Sequence, residues 1–244
     1  MSDKKISGPA LYYLVSLSLL IICRSINPEF NQAASIYSAL IQQNPTAKAN
    51  RLLLNGRIWH NQYPKTFGDQ YLLSNTFLKG SVIFNGRKYN NLDLKYDIFN
   101  DELILSIESY PVIFMNKEMV DSFSLVFENR SYHIINSGTD SSSILRGYVN
   151  VLYDGPSALY VKYIKKIQPL AVDGRYDLFV IENHIYLRTG AEIVAVRGKR
   201  KLFKLLEDKR QEIRYYMKRS KLKITTKDPV TLIPLLEFYD SIGN

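Results

Sequence analysis

The stretch from Gly80 to Leu105, GSVIFNGRKYNNLDLKYDIFNDELIL, leaves few folds open to the chain that contains it. Asn85-Gly86 stands between Val82-Ile83-Phe84 and Lys88-Tyr89. An Asn-Gly pair between such runs is the strongest short-range hairpin signal, because a type I′ turn needs positive φ at both central residues. After Tyr89 the period is two. Leu92, Leu94, Tyr96 and Ile98 point one way, and Asp93, Lys95 and Asp97 point the other. Asn100-Asp101 makes a second turn, and Leu103, Leu105 and Ile107 return. Alternation of this kind describes an antiparallel sheet with one face on a core and the other in water.

The same frame recurs at Asn55-Gly56-Arg57 and, more loosely, at Phe127-Glu128-Asn129-Arg130. It predicts further hairpins of one meander, with Arg57 and Arg87 bracing their own turns. Val112–Met115 and Phe123, Leu125 and Phe127 supply more strands. Val149, Val151 and Tyr153 are answered by Leu159, Val161 and Tyr163 across the turn Asp154-Gly155-Pro156-Ser157. Lys162, Lys165 and Lys166 then fall toward water. Leu178–Ile181 and Ile185–Leu187 read as a hairpin turning at Asn183-His184, and Ile193–Val196 closes the β region. Gly80, Gly86, Gly147 and Gly155 read as turn or strand-end residues. Roughly nine to eleven short strands at hairpin spacing predict a sandwich or a curled open barrel.

Beyond Arg197 the period becomes helical. Leu202, Leu205, Leu206, Ile213, Tyr216 and Met217 share a face over Lys199–Lys218. Asp228-Pro229 opens a last helix through Tyr239, with Pro234 placed to kink it. The fold class is therefore α+β, mainly β: an antiparallel meander over 51–197 with two or three helices packed on it over 198–244.

The start of the chain is an address. Lys4 and Lys5 precede the uncharged run Ala10–Cys23, which is shorter than the roughly 20 residues of a membrane span. This is the pattern of a secretory signal over 1–25, cut after Ser25. Leu20-Ile21-Ile22-Cys23 offers the alternative of a lipobox with Cys23 acylated, although Ile22 is bulkier than the small residue usual there. Residues 26–50 read as a helical lead-in to a single β-rich domain over 26–244. Cys23 is the one cysteine, so the chain holds no internal disulfide and no multi-cysteine zinc site.

Several features occur together and in order. They are Asn55-Gly56-Arg57 with Trp59, Gly80 followed by Val82 and Phe84, Tyr89, Leu94-Lys95-Tyr96-Asp97-Ile98, and Asp101-Glu102-Leu103-Ile104-Leu105. Tyr153-Asp154-Gly155, Leu159 with Lys162, and the helical stretches Leu202–Tyr216 and Leu235–Tyr239 follow. Together they resemble a broad family of small secreted Bacteroidota proteins of uncharacterised function. The resemblance implies export and a β-rich body, and it implies no activity.

No catalytic or cofactor motif is present. His60, His133 and His184 are scattered on strands, without metal-ligand spacing. Asp93, Asp97, Asp101 and Glu102 cluster in one hairpin and would suit a periplasmic hydrolase if two of them faced each other across a cleft. Wet-face and turn positions account for them more simply. Ser141-Ser142-Ser143 lies in a polar loop without a nucleophile elbow.

The strongest compositional feature is basic. Residues 197–227 hold 13 Lys or Arg against Glu207, Asp208 and Glu212, so 13 − 3 = +10, as much as the whole chain's +9. Arg197, Lys199, Arg200, Lys201, Lys204, Lys209, Arg210, Arg214 and Lys218 form the candidate interaction surface. The expectation is a non-enzymatic, exported protein at the periplasm or outer-membrane periphery. It would bind an envelope protein or an anionic envelope component such as lipid head groups or lipopolysaccharide. No nucleic acid, no cofactor and no transmembrane span of the mature chain are expected.

Overall fold

The computed structural model describes residues 51–138 and 143–243. The expected signal, Cys23 and the helical lead-in lie outside them. The chain divides into two compact units, residues 1–54 and 55–244. Of the first, only 51–54 are described, and residues 51–53 are helical.

The second unit is built on a single antiparallel sheet of 11 strands. These are β1 (Arg57–Ile58), β2 (Leu78–Phe84), β3 (Arg87–Asp97), β4 (Glu102–Ser106), β5 (Ile113–Phe114) and β6 (Val120–Phe127). Then follow β7 (Arg130–Asn136), β8 (Tyr148–Asp154), β9 (Ala158–Val172), β10 (Tyr176–Thr189) and β11 (Glu192–Ala195). The strand order is β1-β5-β4-β3-β2-β6-β7-β8-β9-β10-β11, with two short strands at the edges.

The sheet curls without closing. β3 and β8 are four places apart in it, yet the Tyr96 and Tyr148 rings meet edge to face at 5.6 Å. Phe123 of β6 completes the trio at 5.3 Å from Tyr96 and 5.0 Å from Tyr148. One backbone bond, Lys165 N to Ile98 O at 3.1 Å, ties β9 to the residue following β3. The predicted inward residues Val82, Phe84, Leu94, Tyr96, Leu103, Leu105, Phe123 and Leu125 are all buried. Each such side chain contributes about 1.5–3 kcal/mol by leaving water.

The turns follow their residue chemistry. Asn85 and Gly86 both take positive φ (49° and 72°), as do Glu128 and Asn129 (48° and 59°). Two expected hairpins are displaced. Asn55-Gly56 does not turn a hairpin: Arg57–Ile58 pairs instead with Ile113–Phe114. Gly56 is needed because a side chain there would strike the Phe114 carbonyl. Asn183-His184 is no turn either, since β10 runs straight through it. The β9–β10 reversal is made by Asp173-Gly174, with φ of 53° and 64°.

Three helices follow: α1 (Lys199–Leu205), α2 (Arg210–Arg219) and α3 (Ile233–Ser241). The helix expected over 199–218 is interrupted by a 3-10 turn at Glu207–Lys209, whose Asp208 accepts from the Tyr239 hydroxyl at 3.1 Å. Asp228 caps as expected, accepting from Val230 N, but it opens a 3-10 turn over Pro229–Leu232. The α-helix starts only at Ile233, so Pro234 sits in its first turn, where a missing N–H leaves no bond unmade.

Leu159 and Val161 of β9 lie opposite Leu187 and Ile185 of β10, and this face carries the helices through Leu202, Leu206, Ile213, Leu232, Leu235 and Leu236. Tyr216 stacks on Phe238 with centroids 4.1 Å apart. The clamp at the far end is Asp240, only 8% exposed. Its carboxylate accepts from the Tyr153 hydroxyl at 2.8 Å, the Ser157 hydroxyl at 3.0 Å and Ser157 N at 3.0 Å, joining α3 to the β8–β9 turn. Asp240→Ala strands three donors and is expected to lower unfolding free energy by about 2–3 kcal/mol. Urea denaturation at neutral pH measures it, and an unchanged midpoint would show the clamp to be idle.

Candidate functional site

The helices display the predicted basic surface unevenly. Leu202, Leu206 and Ile213 turn inward and leave Arg197, Lys199, Arg200, Lys204, Arg210, Arg214 and Lys218 exposed. Lys201 and Lys209 are half-buried. Lys209 faces inward: its ammonium donates to Tyr239 O at 3.2 Å and sits 4.6 Å above the Tyr239 ring. Arg210, Arg214 and Lys218 recur every fourth residue, so they form one stripe with about 6 Å between successive positions. Tyr215, 65% exposed, flanks it. Among the described residues Arg210 is 3.8 Å from Glu207, and Arg214 and Lys218 have no carboxylate within ion-pair distance.

A second cationic feature lies on the opposite face of β9 and β10. Lys162 is paired in register with His184, and Tyr160 with Tyr186, so these side chains point away from the helices. Lys162, Ile164, His184 and Tyr186 line an open cleft of about 460 Å³ together with Asp101, Lys117, Ile144, Arg146 and Gly147. Asp101 anchors it from the β3–β4 turn, where its φ is 58°. The Lys117 ammonium donates to Asp101 Oδ2 at 2.6 Å and to Asp101 O at 2.8 Å. The Lys162 ammonium reaches the same Oδ2 at 3.1 Å and also donates to the Arg146 carbonyl. The Tyr96 hydroxyl donates to Oδ1 at 2.6 Å.

Gly147, with φ of 69°, closes in on this knot. A Cβ there would lie 3.0 Å from both Asp101 Cγ and Lys162 Nζ. Burial alone would raise the Asp101 carboxyl, but Lys162, Lys117 and the Tyr96 hydroxyl outweigh it and hold Asp101 below the usual carboxylate value. Asp101 is thus an ionised counter-charge at neutral pH. Leaving His184 aside, the lining carries Lys117, Lys162 and Arg146 against Asp101, so 3 − 1 = +2.

No protein-family model, curated protein or solved structure matches this chain.

The carboxylate readings need correction. Asp97 is fully buried, not on a wet face. Residues 70–72 pair along the edge of the last residues of β3, with Tyr71 bridged to Asp97: Leu72 N donates to Tyr96 O at 2.9 Å and Ile98 N to Gln70 O at 2.9 Å. The Asp97 oxygens accept from Phe99 N, Asn100 N and Asn100 Nδ2, each at 2.9 Å. Burial raises its carboxyl, and those bonds only partly offset the rise. Asp93 keeps its wet-face position and pairs with Lys79 at 2.9 Å. Glu102 is taken by Arg57 through contacts of 2.9 and 3.0 Å. Arg57 therefore ties β1 to β4 instead of bracing its own turn.

Lys162 and Lys165 also depart from the expected water-facing positions. Their side chains are 17% and 15% exposed, and each finds an aspartate: Asp101 for Lys162 and Asp69 for Lys165. Lys166 does face out, at 57%. The cleft residues Lys117, Arg146 and Lys162 carry no local motif. Their meeting is a product of the curl, which brings Lys162 to an aspartate 61 residues earlier.

Proposed function

We propose that this is an exported, non-enzymatic binding protein of the cell envelope that engages an anionic surface through its C-terminal helices. The observation that carries the reading is the exposed stripe Arg210, Arg214 and Lys218, with Arg197, Lys199, Arg200 and Lys204 also exposed nearby in sequence. Arg210 has only a long, exposed pairing with Glu207, and Arg214 and Lys218 have no carboxylate within ion-pair distance among the described residues, so the stripe keeps most of its field for a partner. Export rests on the basic-then-apolar pattern of residues 1–25 and on the resemblance to small secreted Bacteroidota proteins. No helix of the described residues is long and apolar enough to cross a membrane.

The test is sedimentation with vesicles of phosphatidylglycerol and, separately, of phosphatidylcholine. Binding should require the anionic lipid and fall as salt rises. The triple variant Arg210→Ala, Arg214→Ala, Lys218→Ala removes three cations worth about 1 kcal/mol each near such a surface, an expected loss of about a hundredfold. Equal binding to both vesicles, or an unaffected triple variant, overturns the surface assignment. Full-length precursor confined to the cytoplasm on fractionation overturns export.

A further inference from the structure

We infer that the cleft between the β3–β4 turn and the outer face of β9–β10 is a binding site for a small organic oxyanion, a carboxylate or phosphate monoester with a compact apolar body. This site is separate from the helical surface and stands whether or not that surface binds lipid.

Four observations support it. The space, about 460 Å³, is larger than a bare ion needs and is lined by Ile144 and Ile164 as well as by cations. The charge is unbalanced, because two ammoniums share the single carboxylate of Asp101. The ammonium donors are only partly used. An ammonium carries three N–H groups. Lys162 spends two, on Asp101 Oδ2 and the Arg146 carbonyl, and has a third left for a ligand. Lys117 spends two on Asp101, and its ammonium lies 4.9 Å over the Tyr148 ring. Lastly, the exposed Arg146 guanidinium has no acidic partner among the described residues, and its fork suits a two-oxygen anion.

The arrangement divides the work. Asp101 holds Lys117 and Lys162 in place, and Gly147 leaves them room. Arg146 and the third Lys162 proton take the ligand oxygens. Ile144 and Ile164 meet the apolar body, with Tyr186 and His184 at its side. The shared chemistry is an oxyanion, and carboxylate and phosphate sources are distinguished by probe.

The experiment is a backbone amide NMR titration of the full chain with phenyl phosphate, benzoate and the neutral control benzamide. Saturable shifts centred on Gly147, Lys162 and His184 with one or both anions, but not with benzamide, are expected. The stronger anion names the source. Arg146→Ala, at an exposed position where folding is undisturbed, should weaken binding by about tenfold or more. Lys204→Ala, on the helices, should leave it unchanged. Shifts equal with benzamide, shifts that follow ionic strength and map to 199–219, or undiminished binding by Arg146→Ala would each overturn the site.

Discussion

Asp101→Ala is expected to be the most damaging single substitution outside the apolar core, lowering unfolding free energy by about 3 kcal/mol at neutral pH. Breaking a desolvated ion pair leaves its partner uncompensated, and here two partners are left at once. Lys117 and Lys162, 26% and 17% exposed, would face each other without the carboxylate that now joins them. The Tyr96 hydroxyl, deep in the curl, would lose its 2.6 Å acceptor.

The pH dependence has a definite sign. The folded carboxyl titrates below a free aspartate, whose value is about 3.9. Its stabilisation is complete above that value and is lost as pH falls through the folded pKa. The deficit of Asp101→Ala should therefore be full at neutral pH and shrink on acidification. Asp97 acts in the opposite sense. Its carboxyl is raised, so its contribution is present below the free value and lost as pH rises through the folded pKa. Urea denaturation of the wild type and Asp101→Ala at neutral and acidic pH checks both magnitude and sign. A deficit independent of pH would mean that the charge of Asp101 is not what holds the knot.

Gly80→Ala should be nearly as severe, at about 3 kcal/mol, for a steric reason. Gly80 lies mid-strand in β2, at the register shift against β3 and directly opposite Leu125 of β6. An added methyl would run into the Ser124 backbone carbonyl and come within 2.9 Å of Leu94 Cδ1. The first obstacle is main chain in the middle of the sheet, so relief requires β2 and β6 to separate. Gly86→Ala is the natural control. Its φ is 72° but nothing lies within 4 Å of the added Cβ, so only the backbone strain of about 1 kcal/mol applies. Equal losses for the two variants, measured by thermal unfolding, would refute the close-approach explanation.

Local sequence carried the strands well where alternation was strict. The stretch from Gly80 to Leu105 forms two hairpins as its period and its Asn-Gly and Asn-Asp pairs imply. It misled at Asn55-Gly56, where the same dipeptide serves a backbone approach between non-consecutive strands. Asp173-Gly174 is itself a standard hairpin pair, and the β9–β10 reversal lies there and not at the expected Asn183-His184. Gly80 looked like a strand end because a close strand-to-strand approach leaves no local trace. The wet face of β3 was legible only as alternation, and the burial of Asp97 at its end leaves no local mark in that pattern. The same limit hid the cleft. Lys117, Arg146 and Lys162 sit on three separate segments, and only the curl of the sheet brings them to one cleft. The basic run on the helices, by contrast, was visible as composition, and helical periodicity alone was enough to turn most of it outward.

Strand β9 serves the helices with one side and the cleft with the other, which makes its length a counted quantity. Insertion of a single residue between Leu159 and Lys162 would exchange the two sides downstream, sending a lysine beneath the helices and an aliphatic side chain into the cleft. Insertion of two would restore the parity while shifting the pairing by one pleat. Variation in this strand is therefore constrained to even steps, and loops such as the Asp173-Gly174 tip are where length can change freely.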